Sequence, residues 1–274
     1  MSFTQNDLLA LAAILRAAAR AEILPRFRRL RPQDIRAKSS KQDLVTEADL
    51  AAEAHIAAAC ERAFPGALMV GEEACVTDYA LVPQLGAAPF AITVDPIDGT
   101  ANYAAGLPLF GVMAAVAEHG TTTAAVILDP IADSFSACLR GGGAREYAPD
   151  GSSAPLHVGA PVALAEMTGM ISWRFMRPDL RRHVLANITG VAQTWDHRCA
   201  AHEYRMLIAG YSDFVMFNRL MPWDHLAGVL LHEEAGGYSA RFDKSSYQPG
   251  QTTGGLICAA DAAGWNALAG LLLD

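Results

Sequence analysis

The chain has 274 residues, 52% of them hydrophobic and only 18% charged, enough apolar mass for a substantial core and too much for intrinsic disorder. Twenty-nine acids against 21 lysines and arginines leave a net charge of −8, which disfavours a general nucleic-acid binder because a polyanion is repelled at long range. A small anionic substrate held through metal ions remains compatible with that balance.

The opening segment is Ala-rich but carries Asp7, Arg16, Arg20 and Glu22, so it reads as an amphipathic helix rather than a secretory signal, with Leu8, Leu11, Leu15 and Ile23 among its apolar positions. No apolar run approaches the roughly 18 residues of a membrane span. A second helix is predicted over 49–63, ending at Pro65-Gly66. A short strand over 67–70 runs into Gly71-Glu72-Glu73, and a strand over 90–94 delivers Asp95. Strands at 110–117, 122–129, 134–140 and 144–147, separated by turn signals, suit an antiparallel meander. A soft boundary at Asp150-Gly151-Ser152-Ser153 divides an N-terminal α+β part (1–150) from a C-terminal α/β part (151–274). The latter is read as helices at 199–209, 223–235 and 264–273 and strands at 214–217 and 256–259. Cys60, Cys75, Cys138, Cys199 and Cys258 are scattered, without a CxxC pair, and read as buried thiols of a cytoplasmic protein.

The densest chemical signal is Val94-Asp95-Pro96-Ile97-Asp98-Gly99-Thr100. Two carboxylates three residues apart across a Pro-stiffened turn can face one point, where hard cations such as Mg²⁺ take carboxylate, carbonyl and water oxygens. Gly99 and Thr100 then open a helix whose backbone donors suit a phosphate. Either Asp-Pro or Asp-Gly alone is ordinarily a turn former; their fusion after a strand is what points to chemistry. Three further acids join them: Glu72 at a strand end, Asp224 in Trp223-Asp224-His225 and Asp49 at a helix start. Asp49 and Asp224 also suit a plain helix-terminus role.

Gly71-Glu72-Glu73, the segment 95–100 and Trp223-Asp224 stand in this order after Lys38, Asp43-Leu44-Val45-Thr46 and Asp49. In this the chain resembles the inositol monophosphatase family, lithium-sensitive metal-dependent phosphomonoesterases related to fructose-1,6-bisphosphatases. The likeness runs from residue 38 to about 237. It implies an α/β/α/β/α layered sandwich, with an antiparallel N-terminal sheet and a mixed C-terminal one, assembled as a homodimer. It also implies two or three Mg²⁺ ions: one on Glu72, Asp95 and the Ile97 carbonyl, a second on Asp95, Asp98 and Asp224, and a looser third near Glu72. Thr100, bonded to Asp49, would activate water with Glu72. The Gly99 and Thr100 amides would bind phosphate, Asp224 would lie near the leaving oxygen, and Lys38 matches a mobile-loop lysine.

The likeness breaks at Phe217, where inositol hydrolases of the family carry a Glu that contacts ring hydroxyls; a one-residue slip would offer Asn218 instead. The segment 198–205 occupies the substrate-pocket wall. There Ala200 aligns with a small residue, Arg198, His202 and Arg205 add positive potential, and Glu203 could receive a hydroxyl or amine; the alternative for Glu203 and Arg205 is a solvated helix surface. The expected function is a Mg²⁺-dependent phosphatase for a small phosphorylated metabolite. Inositol phosphate, a sugar bisphosphate, histidinol phosphate and 3′-phosphoadenosine 5′-phosphate remain open. A non-catalytic regulatory or RNA-associated protein is the competing class, with the basic run 26–31 as its candidate surface.

Overall fold

A computed structural model describes residues 3–40 and 43–274. Lys41 and Gln42, inside the segment that follows Lys38, lie outside the described residues.

Helix α1 (Gln5–Ala18) starts with a capping box in which the Asp7 carboxylate accepts the Thr4 amide at 2.9 Å. A hairpin of β1 (Ile35–Ser40) and β2 (Asp43–Thr46) leads into α2 (Glu47–Ala63). Strand β3 (Leu68–Gly71) follows, then short helices α3 (Glu72–Thr77) and α4 (Leu81–Leu85). Next come β4 (Phe90–Asp98), α5 (Thr100–Ala104), β5 (Gly111–Glu118), β6 (Thr121–Asp129) and β7 (Ser134–Leu139), with β8 (Arg145–Tyr147) and β9 (Ser153–Pro155) at the edge. Strands β3 to β9 form one seven-stranded sheet in sequence order, antiparallel except for the parallel β3–β4 pair. Strand β9 therefore belongs to the first sheet although it follows residue 150, and the next sheet begins at Thr168.

The second sheet has the order β11 (Gln193–Trp195), β10 (Thr168–Ile171), β12 (Phe214–Phe217), β14 (Leu256–Ala259), β13 (Tyr238–Arg241). Its first three strands are parallel and its last two pairings antiparallel. Helices α7 (Ala200–Ile208) and α8 (Pro222–Glu234) lie between the sheets, while α6 (Pro178–Asn187) and α9 (Ala262–Leu272) cover the outer face of the second.

Three apolar layers hold this arrangement. Leu8, Leu11, Leu15 and Ile56 of the first two helices pack on Ile92, Val94 and Val112. Met113, Ala115 and Ile127, from the opposite face of that sheet, meet Tyr204, Leu226, Leu230 and Val215. Trp265, Leu268 and Val184 seal Phe214 and Ile257. The order α/β/α/β/α follows, as the family resemblance implied. Strand alternation sends Ile92 and Val94 toward α1 and α2, so Ala91, Thr93 and Asp95 point the other way, toward α8.

Candidate active site

Two boundaries differ from the sequence reading. Strand β4 does not end at Val94 but continues through Asp98, its register with β5 shifting between Asp95 and Asp98. The Pro-containing step is thus a bulge rather than a turn between elements, and the Asp95 carboxylate closes it by accepting the Ile97 amide at 2.9 Å. Helix α8 begins at Pro222 with Met221 as its cap, so Asp224 is a first-turn acid and not the cap itself.

These local features bring distant acids together. Asp95, Asp98 and Asp224 each place one carboxylate oxygen within 4.8 Å of the others, and the Asp95 and Asp224 carboxyls share a hydrogen bond. Glu72 lines the same pocket but stands outside that trio. Asp98 is oriented from the second half of the chain: its Oδ2 accepts the Ala201 amide at 2.6 Å, in the first turn of α7, and the Cys199 thiol at 3.0 Å. Gly99 has φ +87°, and a Cβ there would fall 2.8 Å from the Leu109 carbonyl, so both backbone and space demand glycine.

Asp49 does two things at once. Its Oδ2 completes the capping box of α2 by accepting the Thr46 amide at 2.9 Å, while its Oδ1 lies 3.1 Å from the Thr100 hydroxyl. That hydroxyl is also 2.9 Å from the Ile97 carbonyl, so one proton faces two acceptors. Burial pushes Asp49 and Asp98 each up to about 7, with Glu72 and Asp224 respectively adding like-charge repulsion. Burial, together with neighbouring acids, also raises Glu72 and Asp95; burial raises Asp224 as well, against the opposing pull of Arg219, Lys38 and Arg174 and of its hydrogen bond with Asp95. Lys38, on β1, donates to both Glu72 Oε1 and Glu73 Oε1 at 2.7 Å. Burial opposes its ammonium, but the two glutamates outweigh that and hold its pKa above the ordinary value.

A family model for the inositol monophosphatase family matches residues 5–273. The chain belongs to this family. Its members are phosphatases, phosphoric monoester hydrolases that act on small phosphorylated substrates. A Pseudomonas aeruginosa protein named Nus factor SuhB is 31% identical over 242 residues, 84% of each chain. A Thermotoga maritima protein named fructose-1,6-bisphosphatase/inositol-1-monophosphatase is 28% identical and covers 77% of each. Among solved structures, a Thermotoga maritima IMPase superposes with a TM-score of 0.81 at 22% identity, covering 98% of this chain and 97% of its own.

Within this family member, Glu53 and Asn102 are supporting residues that the motifs did not announce. The Glu53 carboxylate, reaching from α2, accepts the Glu73 and Ala74 amides at 2.8 and 2.7 Å and so fixes the start of α3 and with it Glu72. Gly71 permits this approach, because a Cβ there would lie 2.3 Å from Glu53 Cδ. The glycine before the paired glutamates was the available signal. Asn102 donates to the Leu109 and His197 carbonyls and accepts from the Arg198 guanidinium at 2.8 Å, tying α5 to the segment before α7.

The opposite wall corrects several expectations. Ala200, Arg198, Glu203 and Phe217 line the pocket with Ser172, Arg174, Phe175 and Arg219. Glu203 is buried, not solvated; it accepts the His197 amide at 2.9 Å, and burial raises it well above the usual range. Arg205 and His202 do not face the pocket. Arg205 pairs with Asp129 and Glu146, and His202 meets the Phe110 carbonyl. Asn218 donates to the Ser172 carbonyl at 2.5 Å and leaves the pocket face to Phe217, which packs on the Tyr204 and His225 rings. His225, between Tyr204 and the Arg219 carbonyl, is held by burial at about 4 and stays neutral.

Proposed function

We propose that this chain is a Mg²⁺-dependent phosphatase that hydrolyses a small phosphate monoester by in-line attack of water. The observation that carries the reading is the trio Asp95, Asp98 and Asp224, the first buried and the others at the pocket wall, whose oxygens converge within 4.8 Å. Such a concentration of carboxylates suits a divalent cation, and an all-oxygen donor set suits Mg²⁺ rather than a softer metal. The one nearby thiol, Cys199, is kept protonated by burial and by Asp98, and donates to that carboxylate.

In this reading Glu72, Asp95 and the Ile97 carbonyl would hold one ion, Asp95, Asp98 and Asp224 would hold a second, and Glu72 would steady a looser third. When bound, the ions neutralise the phosphate dianion and lower the pKa of water. The chain's own groups do the rest. The Thr100 hydroxyl, with Glu72, would receive a proton from the attacking water and pass it toward Asp49 Oδ1, 3.1 Å away. The Gly99 and Thr100 amides face the phosphate oxygens. As the P–O bond to the alcohol breaks, the departing oxygen takes up a proton from a solvent water, with Asp224 beside it. Lys38 positions Glu72.

Phosphate release from inositol 1-phosphate, fructose 1,6-bisphosphate, histidinol phosphate and 3′-phosphoadenosine 5′-phosphate, with Mg²⁺ and after chelation, tests the reading. Turnover of at least one with Mg²⁺, abolished by chelation and restored by Mg²⁺, is expected; turnover that survives chelation overturns it. Lithium inhibition, a homodimer by light scattering and a cytoplasmic location, in keeping with five unpaired buried thiols, belong to the same reading. No helix among the described residues is long and apolar enough to cross a membrane.

The name of the Pseudomonas relative prompts a second reading, a role in transcription. The basic run offers it little, because Arg26, Arg28 and Arg31 are engaged with Glu22, the Gly106 carbonyl and Asp34. A gel shift at physiological salt decides between the two.

A further inference from the structure

We propose that the substrate's leaving group carries an anionic group of its own, a carboxylate or a second phosphate, gripped by Arg174, Arg198 and Arg219. The inference rests on the phosphatase reading above and names the substrate class for that site.

The three arginines share one origin. Each follows the C-terminal end of a parallel strand of the second sheet: Arg174 three residues beyond β10, Arg198 three beyond β11, Arg219 two beyond β12. In open α/β sheets the carboxyl ends of parallel strands are where ligands bind. All three line the pocket that holds the acids.

Their local chemistry favours an anion. The Arg219 and Arg174 guanidinium carbons lie 4.4 and 4.9 Å from the centre of the same ring, Phe175. Two cations on one aromatic ring repel each other, and an anion seated between them turns that repulsion into binding. Arg219 faces Asp43 across 3.7 Å, longer than the roughly 2.7–2.9 Å of a charge-assisted hydrogen bond. The other acids of this wall are used by the backbone: Asp196 accepts the Arg198 amide and Glu203 the His197 amide. Arg198 has φ +56°, a conformation that favours glycine, yet this position carries an exposed guanidinium steadied by Asn102. A neutral polyol would instead meet the Phe217 and Phe175 rings, which accept no hydroxyl hydrogen bond.

The test uses matched esters with Mg²⁺: glycerol 2-phosphate against 2-phosphoglycerate, which exchanges a hydroxymethyl for a carboxylate, and inositol 1-phosphate against inositol 1,4-bisphosphate. The purified full chain is expected to prefer the anionic member of at least one pair by tenfold or more in kcat/KM. Which pair responds distinguishes carboxylate from phosphate. That ratio is expected to fall at least fivefold in Arg219→Gln and in Arg198→Gln, the latter an exposed side chain whose removal leaves the core intact. Equal rates within both pairs, or a ratio unmoved in both variants, overturn the inference while leaving the phosphatase reading in place. No phosphate release from any of the four overturns the inference; the phosphatase reading falls with it only if the wider panel above is silent as well.

Discussion

The two sides of the pocket are built by different physics. The acidic side is made of short, buried carboxylates whose oxygens are aimed by backbone amides: Ile97 on Asp95, Ala201 on Asp98, Thr46 on Asp49. The facing side is made of long guanidiniums and rings, held by stacking and by a hydrogen bond to Asn102, and partly open to solvent. Short side chains on fixed backbone lose little freedom when they converge, which suits charge stabilisation at a reacting phosphate. Long side chains on strand ends can be exchanged without disturbing that convergence, which suits the choice of leaving group. Changes on the acidic side should therefore stop the reaction, whereas changes on the facing side should redirect it.

The most severe break in that contrast is Asp95→Asn. The amide oxygen still accepts from Ile97, so the bulge survives, but the negative charge is lost. Mg²⁺-dependent phosphate release should fall by roughly a thousandfold or more, with an unchanged far-UV spectrum and a smaller rise of Tm on adding Mg²⁺. Retained turnover would contradict the division of labour drawn here.

Thr100→Val keeps the shape and deletes the hydroxyl between Asp49 and Ile97. If that group moves the proton, kcat should drop by about 10²–10⁴ with little change in KM. A drop in kcat/KM owing to KM alone would assign Thr100 to binding.

Gly71→Ala probes how the acidic side is supported. The added methyl must displace the Glu53 carboxylate from the start of α3, so stability should fall by about 1–3 kcal/mol and Glu72 should lose its setting. Denaturant unfolding and Mg²⁺ titration of the variant measure the two consequences separately.

The effect with the least bearing on turnover lies at the far end of α8, outside both sides, and serves as a control. His232 is buried, with Nδ1 2.8 Å from Ser239 Oγ, and burial lowers its pKa to about 3. The unfolded chain takes up a proton below about 6.5 that the folded chain refuses, so this stability is full above that pH and is lost as pH falls toward about 3. By pH 4 the loss should reach about 3 kcal/mol, and in His232→Gln the fall of Tm between pH 6.5 and 4 should be shallower. An equal slope would show that His232 is not what acid strikes.

Much of the acidic side was legible because its geometry is local. Asp95, Pro96 and Asp98 lie within one bulge, Thr46 and Asp49 within one capping box, and each pattern carries its own constraint over three or four residues. Periodicity likewise announced α1, α2, α7, α8, α9 and the β5–β7 meander, whose strands and helices are long enough to show an apolar repeat. Strands β10, β11 and β13 and the β1–β2 hairpin were not legible, because their residues mix polar with apolar and lack the unbroken apolar run of the equally short β12 and β14.

The chain order by itself determined the acidic motifs and the family they belong to, since each is a contiguous pattern whose residue types are demanded by backbone geometry and cation chemistry. Only the tertiary structure decided that Arg174, Arg198 and Arg219 face those acids, that Arg205, His202 and Asn218 turn away, and that Glu53 stands behind Glu72. Those outcomes depend on which strand ends lie side by side and which way each side chain leaves its backbone, and no short stretch of sequence encodes either.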